Sequence, residues 1–138
     1  MPRYLLIVDY RPGVVDTPMD RWRPDEIKAH MDYYTALNQE LTASGELIGG
    51  AALTGPEFAK TVTSDGRTAP VVTDGPFAEF KEILAGYQMV EVDSEQRAVE
   101  IAARVSEVPG PGGVPLQQPI VVRRVMDDAD FDALVPNG

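Results

Sequence analysis

The sequence predicts an α+β domain in which an antiparallel sheet carries two helices on one of its faces. The chain has 138 residues, enough for one hydrophobic core. Its predicted elements follow the order strand, helix, several strands, helix, strand, which is typical of an antiparallel sheet with segregated helices. The first strand is apolar on both sides, so each face of the sheet needs cover. We therefore expect the chain's own helices on one face and a second subunit on the other.

The first strand is predicted over residues 3–10. Leu5 and Ile7 point to one side of it. The other side holds the apolar residues Tyr4, Leu6 and Val8. The apolar run stops at Asp9, so it is too short for a membrane span or for the core of a signal peptide. We therefore expect a cytoplasmic protein that does not contact a membrane.

The first helix is predicted to begin with residues 24–26, Pro-Asp-Glu, because proline fits the first helical position and acids complement the helix dipole. Gly45 marks its end. At 100° per residue, His30, Tyr34 and Asn38 fall within the apolar sector of this helix. The apolar members of that sector are Ile27, Met31, Leu37 and Leu41. This sector is expected to face the sheet.

The remaining elements follow from alternation and turn residues. Strands are predicted over residues 46–53, 60–64, 68–73, 87–92 and 120–126. Asp65-Gly66 predicts a type I′ hairpin turn between the second and third of these. Asp93 or Ser94 caps a second helix, which covers the same sheet face as the first. We therefore expect a ferredoxin-like domain over residues 1–126, followed by an acidic tail over 127–138 that is mobile or lies over a neighbour.

Composition excludes several classes of function. The net charge is −10, so direct nucleic-acid binding is not expected. The chain has no cysteine, which rules out disulfides, a thiolate nucleophile and a cysteine-type zinc site. One histidine does not make a histidine-rich metal cage, and no phosphate-binding loop or nucleophile elbow occurs. We therefore expect neither a metal nor a cofactor.

Asp74 is the first candidate for chemistry, because it stands at a strand end beside the sharp turn Gly75-Pro76. A partly buried carboxylate there would act as a general base or bind a polar ligand group. The alternative is structural, since aspartate is favoured in such turns for its hydrogen bonds to the following backbone.

Three further groups carry candidate polar side chains. Glu79 and Lys81 belong to a charged cluster that either orients an anionic substrate or forms a solvated face. His30 titrates near neutral pH and lies one helical turn from Tyr34, so the pair suits proton transfer. The alternative for His30 is a hydrogen-bonded core residue. Tyr34 and Asn38 would line a cleft as polar groups in an apolar wall.

The segment 73–87, which contains Asp-Gly-Pro-Phe at residues 74–77, resembles the DGPF branch of the YCII-related domain family. The likeness also covers residues 4–6, 47–50 and 121–126. It implies a homodimer whose two ferredoxin-like sheets face each other as an α+β barrel. It also implies special roles for Glu79, Lys81 and, at the end of the motif, Tyr87 as ligand-binding residues. The family's His/Asp acid-base arrangement has its histidine at the position that matches Tyr34, not His30.

Two functions of different classes follow from this resemblance. The first is binding of a small molecule, with cofactor-free isomerase or lyase chemistry in which Asp74 is the base or ligand anchor. Tyr34 and His30 would then be acids or orienting groups. The second is a non-catalytic ligand-sensing or protein-interaction module, because proteins of the branch resemble partners of extracytoplasmic-function sigma factors. A deep cleft that holds these three side chains together would favour the first.

Overall fold

A computed structural model describes residues 1–9, 17–75 and 84–135. Within this part, the chain forms an α+β fold with a four-stranded antiparallel sheet and three α-helices. The elements in chain order are β1 (Arg3–Asp9), α1 (Pro24–Ala43), β2 (Leu47–Ala52), β3 (Lys60–Thr63), β4 (Val71–Asp74), β5 (Leu84–Glu91), α2 (Glu95–Ser106), β6 (Ile120–Arg124) and α3 (Asp128–Leu134). No helix in the described ranges has the length and apolar character needed to cross a bilayer.

The four-stranded sheet has the order β2-β5-β1-β6, and every neighbouring pair is antiparallel. The predicted alternation in the two central strands is confirmed. Leu6 of β1 lies opposite Gln88 of β5 and Val122 of β6, so these three side chains share one face. Ile7 lies opposite Tyr87 and therefore belongs to the other face.

Helices α1 and α2 cover the face that carries Leu6. Leu6, Val90 and Ile101 are fully buried in the main core there. Tyr33 of α1 ties the helices together, because its hydroxyl donates to the Arg104 carbonyl at 2.7 Å. The opposite face is only half-buried at Ile7, since no described helix of this chain packs on it.

The hairpin of β3 and β4 differs from the prediction in two ways. It forms its own two-stranded sheet and does not join the main one. Its last pair is Thr63 with Val71, so residues 64–70 form the connection in place of a two-residue type I′ turn. Asp65 organises this longer loop, because its carboxylate accepts hydrogen bonds from the backbone N–H groups of Arg67 and Thr68.

The helix ends follow the predicted capping chemistry. The Glu26 carboxylate accepts from the Arg23 backbone N–H at 2.9 Å, which completes the start of α1. Ser94 caps α2 by accepting from the Arg97 N–H at 3.2 Å. Within the acidic tail, the structure shows the short helix α3, which the sequence analysis did not predict. Arg124 holds Asp130 there through two hydrogen bonds of 2.7 Å each.

Candidate functional site

A cavity of about 1050 Å³ lies between α1 and the β2–β5 side of the sheet. The helix contributes one polar stripe to its wall, consisting of His30, Tyr34, Asn38 and Thr42. These residues are spaced four apart, so they follow one another along the same helix face over successive turns. The end of β1 and the loop residue Trp22 close one end of the cavity. Its volume is that of a site for a drug-sized ligand.

The sheet leaves room for this cavity because its wall there has almost no side chains. Residues 49–52 of β2 are Gly-Gly-Ala-Ala. Gly50 adopts a φ of +157°, and a Cβ atom at this position would lie 2.7 Å from the Tyr87 carbonyl oxygen. Only glycine therefore allows β2 to approach β5 here. Gly49 and Gly50, together with the two alanines that follow them, thus shape the cavity.

His30 is a buried titratable residue of the cavity wall, with 7 % of its surface exposed. Its Nδ1 lies 2.9 Å from the Pro109 carbonyl oxygen. Because a carbonyl only accepts, Nδ1 must be the donor, and in the neutral ring Nε2 then carries the free electron pair. Burial lowers the pKa of His30, and the hydrogen bond to Pro109 opposes this only in part. The ring is therefore neutral at neutral pH.

Three aromatic rings meet along this wall. The Trp22 and His30 centroids are 5.4 Å apart, and those of His30 and Tyr34 are 5.2 Å apart, both in edge-to-face geometry. The Tyr34 hydroxyl forms no hydrogen bond with the described residues. Burial raises the pKa of Tyr34, so its phenol stays protonated at neutral pH. The sequence prediction that His30 and Tyr34 lie together on the sheet-facing side of the helix is confirmed.

Asn38 joins the helix to the sheet at the other end of the stripe. Gln88 Nε2 donates to Asn38 Oδ1 at 2.7 Å. This contact leaves the Asn38 N–H groups and the Gln88 carbonyl to bond other groups. Asn38 lines the cavity, and its role in binding a ligand stays a prediction. Gln88 was missed, although its place among apolar residues on the helix-facing side of β5 is the signal that could have identified it.

Asp9 was also missed as a site residue. It ends β1, lines the cavity, and has 5 % of its surface exposed. Its backbone carbonyl accepts from Gln118 Nε2 at 3.0 Å. A carboxylate placed directly after a buried strand was the available signal, because such a position puts a charge at the rim of the core.

The other predicted site residues lie elsewhere. Asp74 is on the β3–β4 hairpin, where it pairs with Lys60 and leaves 69 % of its side chain exposed. It does not line the cavity. Tyr87 borders the cavity, but strand alternation with Gln88 directs its side chain to the opposite face of the sheet. The predictions for Glu79 and Lys81 fall outside the described residues.

The structure thus brings together His30, Tyr34 and Asn38 of the predicted set, and it adds Asp9 and Gln88. Across the described ranges, no three histidine, aspartate or glutamate side chains cluster closely enough to hold a metal ion. The polar groups that remain suit hydrogen bonding and proton transfer within an apolar, partly aromatic cavity.

The model of the YCII-related domain matches residues 2–114, a range that includes β1 through α2 and every residue of the helix stripe. No curated protein matches the chain. On the family match, the chain belongs to the YCII-related domain family.

Proposed function

We propose that this protein binds a small organic molecule in the cavity beneath α1 and transfers a proton on it without a cofactor, as an isomerase or lyase does. His30 is the base, because its Nε2 carries a free electron pair. Tyr34 is the acid or orienting group, since its protonated hydroxyl lies on the same wall. The neutral histidine that lines a large cavity is the observation that supports this proposal.

Asp74 is not the base in this proposal. Its exposed ion pair with Lys60 keeps it away from the cavity of its own chain. The base is therefore placed at His30, and membership of the DGPF branch is proposed from the resemblance of segment 73–87 alone.

Hydrogen exchange on carbon tests this function. The protein is incubated in D₂O with uncharged, enolisable 1,3-dicarbonyl compounds, whose enol hydroxyl can donate to His30 Nε2, and loss of their α-proton signals is followed by ¹H NMR. Wild-type protein should accelerate exchange of at least one compound, and His30→Asn should reduce that rate by about 100-fold or more. Asparagine keeps a donor near the Nδ1 position for Pro109, so the variant removes the base and keeps that hydrogen bond. Equal rates in both proteins would contradict the role of His30.

The fold and assembly proposed are a ferredoxin-like domain and a homodimer that forms an α+β barrel. The strand order β2-β5-β1-β6, with α1 and α2 in the crossovers, supports the ferredoxin-like arrangement. The open face of the sheet supports the dimer, because it carries the half-buried Ile7 and Met89 and the 38 % exposed Val121, and no helix among the described residues covers it. A second copy carries the same apolar residues on its open face, so the open faces of two copies are complementary to each other.

A second candidate function is a non-catalytic ligand-sensing or interaction module linked to sigma factors. The observation that favours it is α3, where Phe131, Leu134 and Val135 are all more than half exposed. Co-elution of the protein with a purified extracytoplasmic-function sigma factor would test it. Phe131→Asp should abolish the co-elution, while the exposed Val99→Asp on α2 should leave it intact.

A further inference from the structure

We infer that the cavity takes an uncharged ligand with a flat ring and a hydroxyl or N–H group that donates its hydrogen to His30 Nε2. This inference rests on the proposed function, because it names the class of molecule that the cavity binds. It follows from the acceptor at His30, the aromatic wall beside it and the charges around the cavity.

The hydrogen-bond acceptor that the cavity offers to a ligand is Nε2 of His30. Nδ1 is occupied by the Pro109 carbonyl, so Nε2 is the ring atom left for a ligand. No other described residue donates to it, yet the described part of the chain contains no buried side-chain nitrogen or oxygen without a partner. Nε2 is therefore open to the cavity that His30 lines. A ligand that displaces water from this atom must supply a donor of its own, or a buried acceptor is left without a partner.

The aromatic wall favours a flat ring. Trp22, His30 and Tyr34 stand edge to face, with interplanar angles of 73° and 62°. Such a row offers both ring edges and ring faces within one apolar wall, against which an aromatic ligand packs well. The small residues 49–52 on the sheet side leave the space for that ring.

The charges exclude an anion. No lysine or arginine is among the described residues that line the cavity, and the acidic residue Asp9 is one of them. The whole chain adds a net charge of −10. A carboxylate or phosphate would lose its hydration without gaining a cation from the described lining residues in return.

The stripe also sets the distance to a second polar contact. His30 and Asn38 are eight residues apart, which corresponds to about 12 Å along the helix. The Asn38–Gln88 pair offers both donors and an acceptor at that end. A ligand longer than one fused ring pair thus meets a second polar site there.

Three naphthalene compounds of matched shape test the inference. 2-Naphthol has a donor and no charge near neutral pH, 2-methoxynaphthalene lacks the donor, and 2-naphthoate carries a negative charge. Binding of each to the full chain is measured by isothermal titration calorimetry. We expect 2-naphthol to bind about tenfold more tightly than 2-methoxynaphthalene, which is about 1.4 kcal/mol, and at least tenfold more tightly than 2-naphthoate.

Two variants locate the effect. His30→Asn should abolish the difference between 2-naphthol and 2-methoxynaphthalene, whereas Val99→Lys, on the exposed side of α2 and away from the cavity, should keep it. Equal affinities for these two probes in the wild-type protein would overturn the donor requirement, and 2-naphthoate binding as tightly as 2-naphthol would overturn the uncharged class. This comparison uses the wild-type protein alone, so it stands even where a variant does not fold. If none of the three probes binds while the wild-type protein still accelerates exchange in D₂O, the flat-ring class is overturned and the proposed function stands.

Discussion

The two faces of the four-stranded sheet are made by the same strands, but they differ in what covers them. Leu6 faces the helices and is fully buried, while its neighbour Ile7 faces away from them and is half-buried. Both are aliphatic, and both sit in the central strand β1. The difference shows that alternation places apolar residues on both faces, whereas the helical connections decide which face the chain covers by itself.

The covered face is also where the functional groups lie. Helices α1 and α2 fill the centre of that face, but toward β2 the small residues 49–52 leave the cavity in place of packed side chains. The open face offers apolar surface without a comparable set of buried polar groups among the described residues. We therefore assign ligand chemistry to the face that the helices cover and association to the open face.

The largest effect is expected from truncation in the core. Leu6→Ala should lower the free energy of unfolding by about 2–5 kcal/mol, because it leaves a hole in a closed core. Leu5→Ala removes the same atoms from the open face and should cost less than half as much at protein concentrations where the chain is monomeric. Urea unfolding measures both. Equal losses would mean that the two faces are covered alike.

The next effect concerns association on the open face. Val121→Lys places a charge beside Ile7, which lies opposite it in the sheet, and should weaken the proposed dimer at least tenfold. Val99→Lys, on the exposed side of α2, is the matched control and should leave the dimer unchanged. Sedimentation equilibrium gives both dissociation constants. A wild-type chain that stays monomeric at high concentration would refute the assignment of this face.

A smaller effect is expected from the pH dependence of stability. Burial lowers the pKa of His30 below its ordinary 6.5, so the unfolded chain takes up this proton first as the pH falls. The contribution of His30 to stability is thus complete above about pH 6.5 and is lost below it, by at most about 1.4 kcal/mol per pH unit. His30→Asn should remove this part of the slope.

Urea unfolding of both proteins at about pH 8 and about pH 5 checks this prediction. The other ionisable groups are the same in both proteins, so the difference between the two pH profiles isolates His30. Parallel pH profiles would show that the histidine is not held neutral.

The smallest effect is expected at the hairpin. Asp74→Asn should change the affinity for 2-naphthol by less than about twofold, because Asp74 lies in an exposed ion pair away from the cavity. Calorimetry with the variant measures it, and Lys60→Met is the matched change of the partner. If Asp74→Asn greatly weakens 2-naphthol binding and Lys60→Met does not, Asp74 is the base and the assignment to His30 is wrong.

Much of the fold was predictable because it depends on local periodicity. The apolar alternation in β1 and β5, the proline start of α1 and the serine cap of α2 are confirmed. The turn at Asp65-Gly66 was not, because a hairpin without a packed core behind it does not force the two-residue connection that the pair favours. The helix α3 was missed because its residues carry many aspartates, whose helical preference is weak without the Asp127 cap and the tie to Arg124.

The candidate site divides in the same way. The four-residue spacing of His30, Tyr34 and Asn38 was enough to place them on one helix face. The partner of His30 was not predictable, because Pro109 is far along the chain and only packing brings its carbonyl to the ring. Asp74 was a candidate because the turn residue Gly75 follows it. Turn residues also occur in exposed hairpins such as this one, so they do not identify a functional site.

By itself, the sequence determined which residues share a strand or helix face, because side-chain direction repeats with the backbone period. The tertiary structure decided which of those faces is buried, which nitrogen of His30 is free and where a cavity remains. These properties depend on contacts between segments distant in sequence, and no local pattern encodes such contacts.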